Sequence, residues 1–92
     1  MGFYMLGKTL RKTGKAEDAV EFLEYALIND FDFPEAHYEL GLSYLDLDYK
    51  PLAQEQLQSL SDLKSPLKDK LAAKIREKKS TAPMNLPLSP AK

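Results

Sequence analysis

The side chains that could carry out acid–base or metal chemistry are few in this sequence of 92 residues. His37 is the only histidine and cysteine is absent, which excludes thiolate nucleophiles, thiolate metal sites and disulfides. A lone histidine packs in a protein core more often than it catalyses a reaction. Asp46 and Asp48 are close in sequence, but without a pocket such a pair is expected only to solvate a helix end. The sequence therefore predicts a protein without catalysis that needs no metal and no cofactor.

The charged residues fall into three blocks, although the net charge is only -1. Residues 1–16 carry four basic and no acidic side chains, and residues 17–63 carry twelve acidic side chains against the single base Lys50. Residues 64–79 carry seven basic and two acidic side chains, and such a cationic ridge could contact phosphates. The acidic middle would repel nucleic acid, and no base-reading motif is present. Nucleic-acid binding is therefore disfavoured relative to ordinary solvated helix faces.

The composition is that of one small globular domain, with 43% apolar and 29% charged residues. No apolar run approaches the roughly 20 residues that a membrane span needs. The N-terminal stretch "MGFYMLGKTLRK" has no basic region before its apolar residues, so it is a poor signal peptide. We expect no membrane association and a cytoplasmic location.

The elements that position these residues are predicted to be five helices. "TGK" at residues 13–15 breaks the first amphipathic stretch, with Gly14 in the usual stop position. Pro34 and Pro51 suit the first turns of the third and fourth helices, and Ser65 is a suitable cap for the fifth. The predicted helices cover about residues 3–12, 16–29, 34–47, 51–63 and 66–79.

The first two helices and the next two repeat each other at an offset of 34 residues. A glycine inside a helix costs about 1 kcal/mol relative to alanine, so a recurring glycine indicates a position where another helix backbone comes close. Two helices pressed together in each half are therefore predicted. At this offset Tyr4, Leu6, Gly7, Ala19, Glu21 and Leu23 fall on Tyr38, Leu40, Gly41, Ala53, Glu55 and Leu57, and Leu10 and Ala26 fall on Tyr44 and Leu60.

This 34-residue period, with its leucine–glycine, tyrosine and alanine positions, resembles the tetratricopeptide repeat family. "PEAHYELGLSY" resembles the family's opening helix, with His37 in the position usually held by tryptophan. The resemblance covers two repeats, at about 3–33 and 34–64, and the helix at 66–79 resembles the helix that closes such arrays. Phe31 replaces a closing proline, and Asp48 stands where glycine is common. The implied fold is an all-α, right-handed array of helical hairpins in one domain, residues 1–79.

In this family the first helix of each repeat lines a concave groove that binds peptides or partner proteins. The resemblance therefore implies a scaffold or adaptor that binds a protein or peptide, with tyrosine and arginine as favoured anchors. The alternative is that Tyr4, Tyr38 and Leu42 only pack against neighbouring helices. The implied groove residues are Tyr4, Met5, Lys8, Arg11, Lys12, Tyr38, Glu39, Leu42, Leu45 and Asp46.

One family subset grips C-terminal carboxylates with paired lysines and asparagines. That set is absent here, because Tyr4 and Tyr38 occupy positions expected to hold lysine and Leu42 replaces an asparagine. A receptor for chaperone tails is therefore not expected.

The N-terminal stretch "FYML" is too apolar to be buried against one helix. Its apolar edge needs a cover, which a longer repeat array or a second copy of the chain would supply. Phe3 and Met5 are the predicted self-association edge, so a homo-oligomer is possible and a self-assembly module is the second functional hypothesis.

Residues 80–92 hold three of the six prolines and are predicted to be a disordered tail. Met84, Leu86 and Leu88 alternate, so an extended chain would show them on one side. The second interpretation is that this tail occupies a groove, in its own chain or in a neighbouring copy.

Overall fold

The computed structural model describes residues 2–78, and the predicted tail lies outside the described residues. The described part contains five α-helices and no strand, as predicted. The second helix has its predicted bounds, whereas the fifth is shorter at both ends than expected. The helices are α1 (Gly2–Lys12), α2 (Ala16–Asn29), α3 (Pro34–Asp46), α4 (Lys50–Asp62) and α5 (Leu67–Glu77).

The turns after α1, α3 and α4 share one backbone motif. Gly14 has a φ of 86°, and the N–H of Lys15 donates to the carbonyl oxygen of Leu10 at 2.8 Å. Asp48 and Lys64 adopt the same left-handed conformation, with φ values of 64° and 56°. This is the Schellman arrangement, which satisfies carbonyl groups that a helix end leaves unpaired. The common geometry explains why glycine is suited to all three positions, although only the first turn has it.

The predicted serine cap precedes α5. The N–H of Leu67 donates to Oγ of Ser65 at 3.1 Å. Pro66 lies between them, where its missing N–H leaves no helical hydrogen bond unmade. The sequence predicted that this helix begins at Pro66. It begins one residue later, at Leu67.

The helices pack in chain order around α3. Each helix contacts the next one, α3 also contacts α1 and α5, and α2 and α4 do not contact each other. Small and aliphatic side chains from α2 to α5 fill the core, and positions related by the 34-residue offset, such as Ala19 and Ala53, are both fully buried. The largest aliphatic side chains in the fully buried core are Leu23, Leu60 and Leu71.

The two repeated glycines make room for different neighbours. A Cβ atom at Gly7 would lie 2.6 Å from Cγ of Leu23 and 3.3 Å from the carbonyl oxygen of Ala19. A Cβ atom at Gly41 would lie 2.7 Å from Cδ2 of Leu71, and its nearest atoms all belong to that side chain. The expected close approach of two helix backbones is therefore wrong for Gly41, because a leucine of α5 occupies the space.

Candidate partner-binding groove

A cavity of ≈ 520 Å³ opens between α1, α3 and the end of α5. Its volume is within the range of about 300–1,000 Å³ that is common for ligand pockets. We call this surface the cationic groove, because five of its side chains are basic and three are acidic. Its lining residues are Lys8, Arg11, Lys12, Tyr38, Glu39, Leu42, Leu45, Asp46, Lys74, Glu77 and Lys78.

Eight of the ten predicted groove positions line this cavity, and Tyr4 and Met5 are the exceptions. The Tyr4 ring packs against Phe33, in the connector of residues 30–33 between α2 and α3, with centroids 4.9 Å apart. The ammonium of Lys8 lies 5.9 Å from the centroid of the Tyr4 ring, so the tyrosine borders the groove without lining it. Met5 does not line the cavity either, and with Phe3 it is one of the exposed large apolar residues of α1.

The contribution of α5 was missed in the sequence. Lining positions 8, 11 and 12 recur at 42, 45 and 46, which is the 34-residue offset. The same spacing recurs at 74, 77 and 78, but at an offset of 32 from α3. In each helix these residues follow a small residue: Gly7, Gly41 and Ala73. The small residue before each set was the sequence signal that could have identified these lining positions. It was overlooked because the offset from α3 is 32 residues rather than 34.

A partly buried ion pair joins two walls of the cationic groove. Nε of Arg11 donates to Oε1 of Glu39 at 2.8 Å, and the Glu39 side chain is only 7% exposed. Nη1 of Arg11 also lies 3.8 Å from Oδ2 of Asp46. Burial, followed by the charge of Glu39, raises the pKa of Tyr38, while Arg11 acts in the opposite direction. Arg11 therefore has its charge satisfied within the fold and fixes α1 on α3.

The lysines of the groove are available to a ligand. Within residues 2–78, Arg11 is the only base that forms an ion pair with a carboxylate. Lys8, Lys12, Lys74 and Lys78 thus lie around the half-buried Leu42 without an ion-pair partner in that range. This arrangement can bind a segment that offers both carboxylates and apolar side chains.

His37 lies outside the cationic groove and is 1% exposed. Its Nε2 donates to the carbonyl oxygen of Phe31 at 2.8 Å, and its Nδ1 lies 2.8 Å from the side-chain amide of Gln56. These bonds tie α3 to the connector and to α4, so His37 packs in the core as the sequence predicted. In the described residues, no three His, Asp or Glu side chains converge to hold a metal ion.

Over residues 2–78, these observations define an all-α fold of five successive helices with a mixed cationic and apolar groove. None of the five helices, within residues 2–78, has the length and apolar character to cross a bilayer. Comparison with protein-family models, with curated proteins and with solved structures finds no match to this chain.

Proposed function

We propose that the chain forms a tetratricopeptide-like array in which α5 stands where the first helix of a third repeat would be. Two features support this arrangement. The order of helix contacts is that of stacked hairpins, because α1 packs on α3 and α3 packs on α5. The lining positions of the cationic groove also recur from helix to helix with nearly constant spacing.

The function we propose is non-catalytic binding of a protein or peptide in the cationic groove, in the role of a scaffold or adaptor. The observation that carries this proposal is the convergence of α1, α3 and α5 on one cavity, with unpaired lysines around Leu42 in the described chain. The groove favours a partner segment with acidic side chains beside apolar ones. The predicted cytoplasmic location belongs to the same proposal.

A photo-cross-linking amino acid placed at Leu42 tests this function. Irradiation in the native host, followed by mass spectrometry, should capture a protein that the same amino acid at the exposed control position Gln58 does not capture. The captured protein is then purified, and its affinity is measured for the wild-type chain and for the Leu42→Ser and Lys74→Glu variants. Both substitutions should weaken binding by about tenfold, because one removes apolar contact and the other reverses a charge.

Two results would contradict the proposal. One is equal capture at Leu42 and Gln58, and the other is binding that neither groove substitution weakens. If nucleic acid rather than protein is cross-linked, and the affinity falls steeply with salt, the disfavoured phosphate-binding hypothesis takes its place.

Self-association is the second candidate function, and one comparison within the chain favours it. Leu6 and Leu40 occupy equivalent positions, yet Leu6 is 43% exposed and Leu40 only 2% exposed. Because α3 has α2 packed against it, Leu40 is shielded, whereas no described helix precedes α1. A second copy packed on this edge would cover Leu6.

A further inference from the structure

A second concave surface lies on a different face of α3 from the cationic groove. Because α2 and α4 both pack on α3 without contacting each other, they leave a channel between them. A cavity of ≈ 580 Å³ occupies it, with Leu40 in its lining. We call this surface the back groove; its outer lining residues are Glu24, Ile28, Phe31, Gln56 and Ser59.

Two large apolar side chains stand exposed on this surface. Ile28, near the end of α2, is 79% exposed, and Phe31, in the connector, is 64% exposed. They adjoin Leu27 and Leu40, so the exposed apolar surface is continuous with the core. Neighbouring exposed apolar side chains at the edge of a cavity are typical of an interaction surface rather than of isolated surface residues.

Phe31 is held in place although its ring faces solvent. Its carbonyl oxygen accepts the hydrogen bond from Nε2 of the buried His37 at 2.8 Å. Its ring meets the imidazole edge to face, with centroids 5.1 Å apart and planes at 82°. A fixed aromatic ring loses little conformational freedom when a partner covers it, which favours an anchoring role.

The charge of the residues that line the back groove favours a partner segment of positive charge. No lysine or arginine lines its described part, whereas the carboxylate of Glu24 does. Burial, then the charge and hydrogen bond of Glu24, with a contribution from Glu55, raises the pKa of the neighbouring Tyr44 to about 12. Neither carboxylate has an ion-pair partner within residues 2–78. The groove therefore presents uncompensated negative charge beside apolar surface.

We propose that the back groove binds a segment of a partner protein in which an apolar anchor lies next to arginine or lysine. The anchor packs between Ile28 and Phe31 over Leu40. The basic side chain pairs with Glu24. Gln56 contacts His37 through Oε1, which leaves its Nε2 to donate to the bound backbone, and Oγ of Ser59, which donates to the carbonyl oxygen of Glu55, can still accept a hydrogen bond. This surface is separate from the cationic groove, so its occupancy does not depend on the function proposed above.

The test uses a phage library of randomised short peptides selected on the full chain. Enriched peptides should combine a large apolar residue with arginine or lysine and should lack acidic residues. The affinity of the enriched peptides for each chain is measured by fluorescence anisotropy. It should be about tenfold or more weaker for the Ile28→Ser and Phe31→Ser variants than for the wild-type chain. Glu24→Gln keeps an acceptor for Tyr44 but removes the charge, so it should weaken binding roughly threefold and reduce its salt dependence.

Lys74→Ala, which alters only the cationic groove, is the matched control and should leave these affinities unchanged. Ile28 is the more exposed of the two anchoring positions, so Ile28→Ser keeps the test decisive even if circular dichroism shows that Phe31→Ser disturbs the fold. The proposal is overturned if no peptide is enriched, or if the enriched peptides are acidic or insensitive to both substitutions. If the wild-type chain is a dimer and Ile28→Ser makes it monomeric, the back groove binds a second copy of the chain rather than a partner protein. That result would also overturn the proposal.

Discussion

Arg11 and Glu39 form an ion pair in the cationic groove that a single substitution would break. Removal of the Arg11 charge leaves a carboxylate buried without its partner, so Arg11→Met should lower the free energy of unfolding by roughly 2–4 kcal/mol. The double variant Arg11→Met/Glu39→Leu should lose much less, because neither charge then remains buried. Urea denaturation of Arg11→Met, Glu39→Leu and the double variant measures this coupling.

Lys12→Ala is the control for the Arg11 series, because Lys12 is an exposed base on the same helix without an ion pair in the described chain. It should change the free energy of unfolding by less than about 0.5 kcal/mol. Additive effects of Arg11→Met and Glu39→Leu in the double variant would show that the two side chains do not depend on each other.

Tyr44 should make stability fall in alkaline solution. Burial, with the carboxylate of Glu24, raises its pKa from 10.0 to about 12 in the folded chain. Between these values the unfolded chain loses the phenolic proton while the folded chain keeps it. The free energy of unfolding therefore decreases as pH rises through this range, and the contribution is fully present only below pH 10.0.

Comparison of wild-type and Tyr44→Phe denaturation from about pH 9 to about pH 11 isolates this effect from the titration of lysines. The variant should lose stability less steeply with pH. Tyr49→Phe, at a tyrosine that is 49% exposed, should follow the wild-type curve. Parallel curves for wild type and Tyr44→Phe would mean that Tyr44 does not cause the alkaline loss.

At the level of helices, the packing of α5 on α3 depends on Gly41. A Cβ atom there would lie 2.7 Å from the Leu71 side chain, so Gly41→Leu should cost about 1–3 kcal/mol or more through overpacking. Gly2→Leu is the matched control, since nothing lies within 4 Å of a Cβ at that helical position. It should be neutral or slightly stabilising. A thermal midpoint of Gly41→Leu at or above the wild-type value would contradict this packing.

Lys64 carries an ordinary side chain in a left-handed turn with φ of 56°, where glycine has no steric cost. Lys64→Gly should therefore raise the free energy of unfolding by roughly 0.5–1 kcal/mol. The same change at Lys70, inside α5, should instead lower it by about 1 kcal/mol. Chemical denaturation of both variants distinguishes them, and a loss of stability in Lys64→Gly would be inconsistent with the turn described.

The helices were predictable because their signals are local. Gly14, Pro34, Pro51 and Ser65 mark helix ends through their own backbone or side-chain chemistry, whatever packs around them. The neighbour of Gly41 was not predictable in this way, because an empty Cβ position does not reveal whether backbone or side chain fills it. The position of Tyr4 likewise depends on Phe33, which is distant in sequence and belongs to an irregular connector.

At the scale of the molecule, α3 separates two surfaces of opposite charge. Leu42 and Glu39 belong to the cationic groove, whereas His37 and Leu40 belong to the back groove. The charge blocks of the sequence correspond to this division only in part. Basic residues of α1 and of the end of α5 meet in the cationic groove, where Glu39 and Asp46 of the acidic block join them, whereas Glu24 of that block is the only charged residue in the described lining of the back groove. Taken together, the two proposals describe a chain that binds two partners of different charge at once.

The exposed apolar edge of α1 is where a second copy of the chain would bind. Met5 and Leu6 are 49% and 43% exposed. Phe3 is also exposed but packs on Phe22 and Tyr25 of its own hairpin, with centroids 6.2 Å and 5.4 Å away. Substitution of Phe3 would therefore disturb the fold as well as the edge, and the double variant Met5→Ser/Leu6→Ser is the cleaner change.

If the edge pairs with a second copy, analytical ultracentrifugation of the wild-type chain at micromolar concentrations should show a dimer. Met5→Ser/Leu6→Ser should be monomeric, because the contact would lose its apolar area. Ile28→Ser removes a side chain that is 79% exposed, but at the back groove, so it should leave the dimer intact. A monomeric wild-type chain at high concentration would exclude self-association. Equal effects of the two variants would mean that general surface hydrophobicity, rather than this edge, drives assembly.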